Sequence, residues 1–151
     1  MAAVLDKAES TFEKAMELMQ DPSRTGAALT IYNMDAEKPI CFTAIVGRPS
    51  KEKFQKYYGF SIEKARRLLE NPEHLSSYHS RDPENDKWGG AIRSDPIIIS
   101  ISGFPELWDE ACSLVMAVRG SGLHLAKAKH VVEISKNPYF QKLLAHFPTI
   151  L

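Results

Sequence analysis

The sequence predicts an α+β domain, a central antiparallel sheet flanked by helices, with a C-terminal helical extension. Three observations lead there. Apolar runs with strand character come in pairs, and helical patterns interrupt the pairs instead of alternating with single strands. The run Pro96–Ile101 places four isoleucines at five positions (Ile97, Ile98, Ile99, Ile101), as in a strand covered on both faces. The helix beginning at Pro105 is apolar nearly all round in its second half (Leu114–Val118), so it needs cover on two sides, by the sheet and by another helix or subunit.

The elements follow in order. Val4, Leu5, Ala8, Phe12, Ala15, Met16 and Met19 recur at three- and four-residue steps, giving an amphipathic helix that Asp21-Pro22 stops. Ala27–Met34 and Ile40–Val46 read as a hairpin around the polar turn Asp35–Lys38. Gly47-Arg48-Pro49 breaks the second strand, and Ser50 caps a short helix, Lys51–Tyr58, ending at Gly59. Ser61 is expected to cap a second helix, Ile62–Glu70, which Asn71-Pro72 terminates. Within it, Glu63 and Arg67 form an i,i+4 pair. Glu73–Lys87 is polar and aperiodic and reads as a long exposed loop. Trp88–Arg93 and Pro96–Ile101 pair as two further strands. Ser102-Gly103 ends the last of them, and Pro105 suits the first helical position, with Glu106, Asp109 and Glu110 complementing the helix dipole. That helix runs to Arg119 and stops at Gly120-Ser121-Gly122. Leu123–Ser135 and Tyr139–His146 supply a helical tail.

One domain over residues 1–151 is expected, with a core from about 3 to 122 and a tail from 123 to 151. Nineteen basic residues balance nineteen acidic ones, which removes any field favouring nucleic acid or an anionic membrane. No apolar run reaches the length of a membrane span, and Asp6, Lys7 and Glu9 interrupt a secretory h-region. Cys41 and Cys112 lie in apolar segments and read as buried, reduced thiols of a cytoplasmic protein. Zinc is disfavoured by the lack of Cys-x-x-Cys or His-x-x-x-His pairs, and neither Gly-x-Gly-x-x-Gly nor a P-loop is present.

Several stretches together resemble the GlcG/HbpS family, the haem-degrading domain also found at the C-terminus of PduO-type proteins. They are the apolar strand Leu29–Asp35, the pattern Ser61 with Lys64-Ala65-Arg66, and the segment Gly89-Gly90-Ala91-Ile92. The junction Ser102, Gly103, Pro105, Glu106, Asp109, Glu110, Ala111 completes the set. The resemblance implies a profilin-like fold, assembly into homo-oligomers, and a ligand such as haem, another tetrapyrrole or a small organic acid. Departures accompany it. Arg93–Pro96 is shorter than the family's Gly-rich stretch, isoleucines replace the glycines before Ser102, and the first helix offers Lys7, Lys14, Met16 and Met19 but no histidine. The tail also extends past the usual end of the domain.

Candidate site residues follow. Haem iron needs an axial donor, and His79 is the first candidate, with His74 and Tyr78 beside it and Arg81, Lys87 and Arg93 for the propionates. The alternative for such loop histidines is solvation alone. Trp88-Gly89-Gly90 either admits a flat ligand to the backbone or makes a tight strand entry. Ser102-Gly103 is either a turn or an anion pocket at a helix N-terminus. Asp109 is either an acid–base group or a dipole partner, and no nucleophile constellation stands out. Two functions stay open: a small-molecule binding protein, or a non-catalytic oligomeric scaffold.

Overall fold

The computed structural model describes residues 1–35, 37 and 39–148; of the expected hairpin turn, Ala36 and Lys38 lie outside the described residues, as does the end of the tail beyond 148. The chain runs α1 (Ala2–Met19), β1 (Gly26–Asn33), β2 (Ile40–Gly47), α2 (Lys51–Glu70), β3 (Ala91–Ser94), β4 (Ile97–Ser102), α3 (Glu106–Met116), α4 (Leu125–Ser135) and α5 (Phe140–Leu144). The four strands form one antiparallel sheet in the order β2-β1-β4-β3. The α+β class with an antiparallel sheet is therefore as expected. Among the described residues no helix is long and apolar enough to cross a membrane.

Strand alternation sorts side chains to two faces. Leu29, Ile31, Ile97, Ile99 and Ile101 join α1 and α3 in the main core, around Phe12, Leu114 and Met116. Ile98 and Ala91 turn the other way, against Ala65 and Leu68 of α2. All six β4 residues are buried, as the isoleucine run requires. The centre of the α2 face is polar and paired. Thr30 Oγ1 lies 2.8 Å from Ser61 Oγ and 2.9 Å from Thr43 Oγ1, and Ser100 Oγ donates to the Ser61 carbonyl at 2.6 Å.

That polar seam explains one correction. Lys51–Glu70 is a single helix, not two, and Ser61 is an interior residue, not a cap. Gly59 has open space around it, so nothing forces a break there. Ser61, Lys64, Ala65 and Leu68 form one buried stripe at helical spacing, and packing of that stripe on the sheet outweighs the glycine's low propensity. Ser50 does cap the helix, accepting from the Lys53 N–H at 3.3 Å.

A second correction concerns Glu73–Lys87. It is not a free loop but two 3₁₀ turns, Ser77–Ser80 and Pro83–Asn85, tied to the body by two buried arginines. Arg67 donates to the carbonyls of Ser77 at 2.9 Å, Ser80 at 3.1 Å and Trp88. Arg93 donates to the carbonyls of His74 at 3.1 Å and Leu68. Ser76 and Ser77 are fully buried, and Ser77 Oγ accepts from the Ala91 N–H at 3.0 Å.

Pro105 occupies the N-cap of α3, one place earlier than expected, and Ala117–Ser121 is a π turn, not a continuation of the α-helix. The tail folds back on its own chain. Trp108 stacks on Tyr139 at 4.2 Å between centroids, Asn137 Nδ2 donates to the Leu107 carbonyl at 2.8 Å, and Phe140, Leu143 and Leu144 are buried. The apolar second half of α3 is thus covered by the sheet, α1 and the tail, so its composition no longer argues for a second subunit. Cys112 is buried as expected, whereas Cys41 is exposed on β2, because β2 is an edge strand whose side chains are only partly covered. Both thiols are free.

Candidate functional site

The β4–α3 junction shapes one wall of a cleft of about 320 Å³. At its turn Gly103 holds φ +149°, and a Cβ there would meet Ala27 Cα at 2.7 Å. Only glycine lets the chain leave the sheet so close to β1. Asp109, one turn into α3, reaches back, and its Oδ1 accepts from the Phe104 N–H at 2.9 Å.

Opposite stands Lys64 of α2. Its ammonium donates to the Ile101 carbonyl at 2.8 Å and to Asp109 Oδ2 at 3.1 Å. Both partners of this ion pair are only 2% exposed. Gly90, at φ +125°, makes room: a Cβ there would lie 2.9 Å from Lys64 Nζ. Burial pushes the Asp109 carboxyl up to about 6, against the opposing pull of Lys64 and the Phe104 N–H. A carboxyl with that proton affinity exchanges a proton near neutrality, at the inner wall of the cleft.

The rim is built from the strapped segment. Arg81 Nε donates to both oxygens of Glu106, at 2.9 and 2.8 Å, and Glu106 also accepts from the Gly89 N–H at 2.7 Å. The Arg81 guanidinium lies 5.5 Å from the ring centres of both Tyr78 and Trp88. Cation–π contact and ion pairing together hold Trp88 against the cleft. Tyr57, Phe60, Lys56, Arg24 and Asp86 complete the lining.

Of the residues singled out in the sequence, Trp88, Ser102, Gly103 and Asp109 line the cleft together. Gly89, Gly90 and Arg81 support it from behind through Glu106 and Lys64. His79 does not line it. It is exposed, with its ring 5.1 Å from that of His74, and partial burial, then the neighbouring His74 and His130, hold its proton affinity below the usual value. Lys87 and Arg93 are likewise absent from the lining, Arg93 being spent on the His74 and Leu68 carbonyls. Among the described residues no three His, Cys, Asp or Glu side chains converge as a metal site.

Sequence reasoning did not select Lys64, Arg24, Lys56, Tyr57 or Phe60. For Lys64 a signal existed: a lysine at a core position of the stripe Ser61, Lys64, Ala65, Leu68 needs a buried partner. Arg24 gave none, since its contact with the Gly103 carbonyl spans 79 residues.

Comparison of the chain with protein-family models, with curated protein sequences and with solved structures gives no match.

Proposed function

We propose that this chain is a small-molecule binding protein of the GlcG/HbpS type, with a profilin-like arrangement of sheet and helices, and that its ligand enters the cleft between α2 and the β4–α3 junction. One observation carries the reading. The fully sequestered Lys64–Asp109 pair sits on the wall of an open cleft instead of in the closed core, beside a glycine that keeps side-chain bulk off it. Clefts of a few hundred Å³ with aromatic walls and a few converging polar groups are where small ligands bind. Of the ligands that the family resemblance suggests, a small organic acid suits this cleft best. Haem would draw its axial donor from His79, which lies off the lining.

A fragment screen by amide NMR on the labelled chain tests this. The expected result is a cluster of saturable shifts at Ser102–Leu107, Gly89, Gly90 and the Trp88 indole. Hits confined to other surfaces, or none, would remove the reading.

A second reading, a non-catalytic oligomeric scaffold, is favoured by the β2 edge, which exposes Ile40, Phe42 and Ile45. The partner it would take is a second copy of the chain.

A further inference from the structure

We propose that the cleft takes a small flat carboxylate, its acid group meeting Lys64 and Arg24 and its ring lying against Trp88, Tyr57 and Phe60. The inference rests on the reading of the cleft as a ligand site and adds the chemical class.

Hydrogen-bond donors on the cleft wall outnumber the acceptors left to meet them. Three acids line the cleft, and two are already spent. Glu106 takes Arg81 and the Gly89 N–H, and Asp109 takes Lys64 and the Phe104 N–H. Asp86 is exposed. The cations are not balanced in the same way. A lysine ammonium has three N–H donors, and Lys64 uses two, on Ile101 and Asp109. Arg24 Nη1 donates to the Gly103 carbonyl at 3.1 Å, and its Nε forms a loose ion pair with the Asp21 carboxylate at 3.7 Å but is buried without a hydrogen-bond partner among the described residues. Lys56 pairs with no carboxylate among the described residues and lies 5.9 Å from the Phe60 ring centre.

Geometry brings the unmet donors to one place. Lys64 and Arg24 are anchored on the Ile101 and Gly103 carbonyls, two residues apart at the end of β4. The α3 N-terminus, which carries no side-chain cap at Pro105, starts from the same turn and adds its positive dipole end. A buried donor without an acceptor is costly, and a carboxylate supplies two acceptor oxygens to these donors. A phosphate would bring more charge than the remaining donors match once Asp86 is counted. The half-buried faces of Trp88, Tyr57 and Phe60 then select a flat apolar body over an aliphatic acid of equal charge.

The test is a titration of the labelled full chain with benzoate and indole-3-acetate and, in parallel, with their neutral amides, read by amide NMR. The acids are expected to shift Ser102–Leu107 and the Trp88 indole saturably, and the amides to bind roughly tenfold more weakly or worse. Arg24→Gln and Lys56→Gln, both at positions open to solvent on one side, should weaken the acids and leave the amides unchanged. Asp86→Asn should tighten the acids. Lys64→Met is a poor probe because it strands a buried carboxyl. Acids and amides binding alike, or acids indifferent to Arg24→Gln, would overturn the ligand class while leaving the cleft a ligand site. Silence from acids and amides overturns the class as well; the broader fragment screen then decides separately whether the cleft binds anything.

Discussion

Lys64 and Asp109 show how much of the site depends on one pair of charges. A lone charge at this depth is costly, since desolvation takes several kcal/mol per ion and is offset only by the partner and the remaining hydrogen bonds. Asp109 has its partner at 3.1 Å and a backbone N–H at 2.9 Å; Lys64 has a carbonyl at 2.8 Å. Asp109→Ala therefore removes more than a contact. It leaves an ammonium buried against a carbonyl, and a loss of about 3–5 kcal/mol in unfolding free energy is expected. Lys64→Met should cost less than that, because the stranded Asp109 already tends toward its neutral form near pH 6. The double variant should lose clearly less than the two single losses added. A urea-denaturation cycle measures the difference, and strict additivity would mean that the two groups do not depend on each other.

At the scale of elements, the β4–α3 junction was legible and its surroundings were not, and the reason is range. The isoleucine run, Gly103, Pro105 and the acids after it signal through local sterics and local electrostatics, so the strand end, the turn and the helix start all lie within a residue of where they were expected. The break assigned at Gly59 failed because burial of one helix face overrides a single glycine. The Glu73–Lys87 segment looked free because its ties, Arg67 and Arg93, belong to other elements and point in from outside. Glu110 belongs to the same class of long-range feature. Read as a dipole partner, it is fully buried between α3 and the tail, where Ser135 Oγ and Asn137 Nδ2 donate to its Oε1 at 2.5 and 3.1 Å and its Oε2 has no partner among the described residues. Burial first, and the nearby Glu106 with it, raises this carboxyl from 4.5 to about 7. The folded protein thus holds a proton that the unfolded chain releases, so Glu110 favours folding below about pH 4.5 and loses that contribution as pH rises through 7. At roughly 1.4 kcal/mol for each tenfold in proton affinity, the effect is at most on the order of 3–4 kcal/mol. Glu110→Gln keeps an acceptor for Ser135 and Asn137 without the charge. It should be the more stable protein at pH 8 and lose that advantage at pH 5. Asp109 shifts the parent in the same direction between 3.8 and about 6, so the quantity to follow is the parent-minus-variant difference in denaturation midpoint. A difference that does not change with pH would place the proton elsewhere.

At the scale of the whole molecule, the two edges of the sheet are treated differently. β3 is four residues long and fully buried, and its edge is occupied: Ser76 bridges to Ile92, the Arg93 N–H donates to the Leu75 carbonyl at 2.8 Å, and Ser121 Oγ donates to Ser94 Oγ at 2.8 Å. Among the described residues the outer edge of β2 has none of this cover. The strand is eight residues long and carries no charged side chain, and Ile40, Phe42 and Ile45 are 50%, 40% and 56% exposed. Edge strands of that length normally carry a lysine, a proline or a bulge that blocks pairing with another chain. The α3 face is closed by the tail, and among the described residues β2 is the sheet edge that combines apolar exposed side chains with an unpaired flank, so the second copy proposed above would join there. Two copies meeting there about a two-fold axis would pair β2 antiparallel with itself and extend each four-stranded sheet into one of eight. Sedimentation should then show a concentration-dependent dimer, and Phe42→Lys with Ile45→Lys should return it to a monomer with an unchanged circular dichroism spectrum. Since β1 separates β2 from β4 and β2 takes no part in lining the cleft, the charged variant should bind cleft ligands as the parent does. A parent that stays monomeric at NMR concentrations, or a dimer indifferent to both lysines, would rule out β2 as the joint.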